Sequence, residues 1–188
     1  MSILDGPFRD REHMQATLSM AGTAKARLLP LLELTEDQRR LLDVEAEGRS
    51  RADMLGITKE QRDALLNVGC RFLQTGELQK AREVLSGLYQ LEPLDERPLY
   101  ALGATYQMEG NLPLAAHFYI QFLGLNATNP EGYLRLGECL MAAGEIDEAR
   151  SAFTSAKTFA ESGKGRPGNA AEALRNLALL DGAVAPMA

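Results

Sequence analysis

A 34-residue period, held three times without an insertion, constrains this chain more than any other feature. Ala81, Ala115 and Ala149 fall at equal spacing, as do Gly69, Gly103 and Gly137, and Gly76, Gly110 and Gly144. Self-similarity at this length marks a helix–turn–helix unit that stacks into a solenoid, because one hairpin alone cannot bury its apolar face. Units numbered from Arg62, Glu96 and Pro130 place large apolar residues at the fourth position (Leu65, Leu99, Tyr133), the seventh (Val68, Leu102, Leu136) and the eleventh (Phe72, Tyr106, Leu140). Steps of three and four put these on one stripe of a first helix, the predicted core stripe. The eighth position is always glycine and the twentieth always alanine, small enough for two helices to approach closely. The glycine at the fifteenth position predicts a left-handed stop for the first helix. Leu85, Tyr119 and Phe153 are predicted to pack inward from the second helices, with Pro93 and Pro130 punctuating the joints.

This pattern is that of the tetratricopeptide repeat, so the expected fold is all-α: three repeats in a short solenoid, with N-terminal helices and a C-terminal capping helix. Residues 1–57 are expected to form a helical extension, 58–163 the repeats (about 62–95, 96–129 and 130–163), and 164–188 a linker, the capping helix and a loose tail. Within the extension, residues 1–10 read as disordered. Helical spacing of Met14, Leu18, Ala21, Lys25 and Leu28 predicts a helix over 11–29, interrupted near Pro30. Thr35 with Gln38 resembles a capping box opening a second helix that runs to Gly48, and Arg49-Ser-Arg51 reads as an exposed turn. Thr58 with Gln61 repeats the capping signature. Ser162-Gly-Lys-Gly-Arg-Pro-Gly168 reads as a flexible break, and Asn169 with Glu172 as the cap of a last helix carrying Leu174, Leu177 and Leu180; the tail is expected to be loose from Gly182. The apolar stripes of the extension have two readings, a cap on the first hairpin or a homodimer interface.

Composition narrows the function. A formal net charge of −6 and a pI near 5.1 disfavour nucleic acid, which needs clustered Lys and Arg. Two cysteines at neither a paired nor a metal-like spacing imply a reducing compartment. The N-terminus has no apolar signal core and no apolar run approaches a membrane span, so a cytosolic protein is expected. His13 and His117 lie far apart with no carboxylate or cysteine constellation, and are read as solvated helix-face residues. Cys70 and Cys139 are read as small hydrophobes. No phosphate-binding loop of P-loop spacing occurs. The expectation is a binding scaffold, not an enzyme, with no cofactor and no metal.

From about Asp53 to Gly163 the chain resembles the class II chaperones of bacterial type III secretion systems. The resemblance rests on Met54-Leu-Gly-Ile-Thr58 leading into the first helix, on Leu102-Gly-Ala-Thr-Tyr-Gln107 in the second repeat, and on Glu138-Cys-Leu140 followed by Gly144-Glu145 and Ala149 in the third. It implies a cytosolic, often dimeric chaperone without nucleotide chemistry, whose concave groove takes an extended, proline-containing N-terminal segment of each hydrophobic translocator. The groove would be lined by Leu66, Cys70 and Leu73, then Tyr100, Ala104, Gln107 and Met108, then Leu134, Glu138 and Met141. Gln107 and Glu138 are its polar handles, and the leucines and methionines suit a surface that re-packs around two clients. Several members carry tyrosines at the first-repeat positions that are Leu66, Cys70 and Leu73 here. Two alternatives stand beside this reading. One is a chaperone of a secretion-needle subunit, burying one amphipathic helix. The other is a generic repeat scaffold gripping a carboxylate-terminated tail, disfavoured because Leu66, Cys70, Ala101 and Glu131 occupy four of the clamp positions and only Arg135 fits.

Overall fold

The computed structural model describes residues 50–184. The helices expected over 11–29 and 35–48, the stretch 1–10 and the last four residues lie outside the described residues. The chain divides into two compact units, Met1–Thr58 and Lys59–Ala188.

In the first unit, α1 (Arg51–Met54) starts where a turn was expected. Ser50 is its N-cap: the Ser50 hydroxyl accepts from the Asp53 amide at 3.2 Å, and the Asp53 carboxylate accepts from the Ser50 amide at 3.3 Å. This reciprocal pairing satisfies two donors that a helix start leaves orphaned, a signal the sequence carries at Ser50 and Asp53 and that the turn reading missed.

The second unit contains α2 (Lys59–Gln74), α3 (Leu78–Leu91), α4 (Glu96–Met108), α5 (Leu112–Leu125), α6 (Pro130–Ala142), α7 (Ile146–Glu161) and α8 (Asn169–Val184). α2/α3, α4/α5 and α6/α7 are the three predicted hairpins. Their packing explains the period. A Cβ on Gly69 would stand 2.7 Å from Leu85 Cδ2, one on Gly103 2.7 Å from Tyr119 Cε1, and one on Gly137 2.6 Å from Phe153 Cε1. Each glycine therefore leaves a notch that the large residue of the second helix fills, and Leu85, Tyr119 and Phe153 are fully buried. Ala81, Ala115 and Ala149 are fully buried as well. Gly76, Gly110 and Gly144 take φ of +77°, +75° and +81° just beyond α2, α4 and α6, the predicted left-handed stops.

The core stripe holds in the second repeat, where Leu99 and Leu102 are buried, and at Leu140 in the third. In the first repeat it does not: Leu65 is 38% and Val68 44% exposed. Leu102 packs with Ala81 and Leu85 of the preceding hairpin, and within residues 59–188 α2 has no preceding hairpin to pack on. The first and second repeats are also joined by the ion pairs Asp63–Arg97 at 2.8 Å and Arg82–Glu109. Arg62–Glu92 at 2.6 Å ties the two ends of the first repeat together, and Glu131–Arg166 ties the third to the loop after it.

α8 packs against α7 and touches α6, burying Ala173 and Leu180 and leaving Leu174 47% exposed. Asn169 is the first residue of this helix, not its cap. Its side-chain oxygen accepts from the Arg166 amide at 2.6 Å and so ties back the glycine-rich loop.

Candidate functional site

The first helices of neighbouring repeats, α2 with α4 and α4 with α6, touch each other and form the inner layer. In a solenoid this layer presents the concave surface. Leu66, Cys70 and Leu73 on α2 are half-buried and lie against the Ala81–Leu85–Ala101–Leu102 core. On α4, Tyr100, Ala104 and Gln107 are half-buried, while Met108 is 59% exposed. On α6, Glu138 and Met141 are half-buried. Leu134 is the exception among the expected lining residues: only 1% of it is exposed, and it belongs to the core. Its neighbour Arg135 reaches Glu172 on α8 at 3.5 Å, so the last helix borders the inner face at this end of α6.

Two chemistries divide the inner face. Towards the first repeat it is aliphatic. Towards the third it carries a continuous hydrogen-bonded network that crosses three helices. The buried Tyr119 hydroxyl on α5 donates to Gln107 Oε1 at 2.8 Å, and Gln107 Nε2 donates to Glu138 Oε2 at 2.9 Å. Arg135 Nη1 donates to both Glu138 oxygens at 2.7 and 2.8 Å, and its charge also acts on the Tyr100 hydroxyl. Burial alone would disfavour the Arg135 cation, but the interactions with Tyr100 and Glu138 outweigh it and hold its pKa above the ordinary value. Burial pushes the Tyr119 phenol up, as it does Tyr100. Tyr100 is braced edge-on against Tyr119 and Phe122, with centroids 5.7 and 5.3 Å away. Among the described residues no buried side-chain polar atom lacks a partner.

The two thiols differ. Cys70 faces the inner layer and its pKa is raised by burial. Cys139 is fully buried, and burial, with the Glu138 charge beside it, pushes its pKa up to about 12. Among the described residues no cluster of ligands suits a metal ion, and no helix is long and apolar enough to cross a membrane.

Sequence reasoning found Gln107 and Glu138 but missed Arg135, Glu172 and the Tyr119 hydroxyl as their partners. The Arg135–Glu138 pair had a readable signal, opposite charges three residues apart on one helix face. The others depend on how hairpins stack.

Residues 106–157 match the family model of the tetratricopeptide repeat. The low calcium response locus protein H of Yersinia pestis is 30% identical over 122 residues, covering 63% of this chain and 73% of the relative. Among solved structures, the type III secretion translocator chaperone SycD of Yersinia enterocolitica superposes with a TM-score of 0.63 at 25% identity, over 71% of this chain and 97% of its own. PcrH, a Pseudomonas aeruginosa protein, solved in complex with the chaperone-binding region of PopD, gives a TM-score of 0.62 at 27% identity, over 69% and 96%.

Proposed function

The chain belongs to the class II, or translocator, chaperones of type III secretion systems, and from that premise we propose that its inner groove holds an extended apolar segment of a hydrophobic translocator and keeps that client soluble until export. The observation that carries the proposal is the half-buried aliphatic lining of Leu66, Cys70 and Leu73, continued by Ala104 and the exposed Met108, on the inner layer of first helices. PcrH has been solved with the chaperone-binding regions of both PopD and PopB, which supports one such surface serving two clients.

The mechanism is burial without chemistry. A preformed groove takes a few apolar anchors of the client out of water, each contributing about 1.5–3 kcal/mol. It leaves the segment extended and offsets part of that gain with the cost of ordering it. Binding is reversible and needs no nucleotide. We place the protein in the cytosol, with no enzymatic activity, and propose that it pairs as a homodimer, with residues 1–57 serving either as that interface or as a cap on the first hairpin; SycD has been solved in an alternative dimer.

The test is co-purification from the native cytosol. Met108→Asp is the cleanest variant, because Met108 is 59% exposed and its replacement leaves the core untouched. One or two large hydrophobic translocators should co-purify with the natural chain and be lost with Met108→Asp, the helical circular dichroism staying unchanged. Tyr100→Ala and Leu73→Asp should lose them too. Translocators retained by all three variants would remove the groove assignment, and a small helical needle subunit in their place would favour the needle-chaperone reading.

A further inference from the structure

We propose that Arg135 and Glu138 form a main-chain clamp within the groove: the Arg135 guanidinium donates to a peptide carbonyl of the extended client, and the Glu138 carboxylate accepts from a neighbouring client amide. The proposal rests on the groove reading above and adds a chemical class of ligand group to it. An extended segment laid in a groove has no helix or sheet to pair its N–H and C=O groups, and each one left unpaired out of water weakens binding. The aliphatic half of the groove, Leu66, Leu73, Ala104 and Met108, offers no such partner. In the polar half, a donor and an acceptor stand side by side on α6.

The geometry leaves both groups spare capacity. Glu138 Oε1 accepts one bond from Arg135, and a carboxylate oxygen takes two. Arg135 Nη2 meets Glu172 at 3.5 Å, beyond ordinary hydrogen-bond length, so a carbonyl at 2.9 Å displaces a weak contact. The pair keeps partial access to water, with side chains 29% and 21% exposed. It is also held from beneath, since Glu138 is fixed by Gln107, which is fixed by the buried Tyr119 hydroxyl. A fixed donor and acceptor cost little ordering on binding.

Charge decides which client group fits. Arg135 already has carboxylates on both sides, Glu138 and Glu172. A client carboxylate would meet net repulsion there. A client lysine would have to share a carboxylate that Arg135 already holds through both oxygens. A neutral peptide dipole suffers neither penalty.

The experiment uses the full-length chain and synthetic peptides spanning the N-terminal region of the co-purifying translocator. Single amide-to-ester replacements are walked along the binding peptide; each removes one N–H and weakens one carbonyl acceptor. Calorimetry against the natural chain should find one position, or two adjacent ones, where the ester costs about tenfold in Kd. Against Arg135→Met the part of that penalty owed to the weakened carbonyl should vanish, while the part owed to the N–H lost from Glu138 stays, with the helical signal kept. Arg135→Lys, which preserves the charge with a different donor geometry, should retain part of the penalty and serves if Arg135→Met folds poorly. A penalty spread evenly along the peptide, or one that persists undiminished in both Arg135 variants, would overturn the clamp. If Met108→Asp, Tyr100→Ala and Leu73→Asp also bind the unmodified peptide normally, the groove reading itself has failed; if they lose binding, only the clamp has.

Discussion

At Gly103 there is no room for one methyl group. Its Cβ would enter the ring of Tyr119, a side chain with 0% exposure and no direction in which to yield. Gly103→Ala should therefore lose about 1–3 kcal/mol to overpacking, only partly offset by the roughly 1 kcal/mol of helix propensity that alanine regains. Thermal unfolding should show a Tm lower by several degrees, whereas an unchanged or higher Tm would mean the hairpins are looser than they look. Tyr119→Phe is a milder change. It removes the bond to Gln107 without disturbing the notch, so stability should fall by about 0.5–1.5 kcal/mol. The glycine and its large partner were legible in the sequence because each recurs with the period. The use of the Tyr119 hydroxyl was not, since Gln107 lies on the other helix of the hairpin. Leu134 shows the same limit from the other side, its position matching a groove register while its side chain is buried in the core.

Among the elements, α4 shows how a cap is coupled to the joint between repeats. The Asp95 carboxylate accepts from the Arg97 amide at 3.0 Å and from the Arg97 guanidinium, which in turn reaches Asp63 of the preceding repeat at 2.8 Å. Burial pushes the Asp95 carboxyl up, but the two kinds of Arg97 bond outweigh it and hold it below its ordinary value. A carboxyl with a lowered folded pKa contributes stability that is complete above the unfolded value near 3.9 and drains away as pH falls through the folded one. Asp95→Asn keeps a capping oxygen without the titration. The natural chain should lose its Tm advantage over this variant progressively as pH falls below about 5, and a difference that stays constant down to the acid limit of folding would contradict the coupling. At neutral pH, Asp95→Ala should cost about 0.5–2 kcal/mol as a lost cap. Element positions in the repeats were readable from the period, the glycine stops and the prolines. The ends were less so. Asn169 carries a capping residue type but turns its side chain back to Arg166, and the stripe position of Leu65 and Val68 could not reveal that α2 lacks a preceding hairpin in its unit.

At the scale of the molecule, repetition builds the scaffold, and departures from repetition give the inner face its character. Position five is Leu66, Tyr100 and Leu134 in turn, and position nine is Cys70, Ala104 and Glu138. That drift makes one half aliphatic and the other polar, and it could be read directly because the register never slips. What it could not show is which polar groups meet, since Arg135, Glu172 and Tyr119 come together only through stacking. The two cysteines supply the most direct test of the central claim, that a client lies in this groove. Iodoacetamide alkylation followed by mass spectrometry should modify Cys70 in the free chain and leave Cys139, buried with its thiol held protonated, untouched until the protein is denatured. With the translocator segment bound, Cys70 should be alkylated several-fold more slowly while Cys139 stays silent. An unchanged Cys70 rate in a complex shown to be intact would place the client elsewhere and contradict the account.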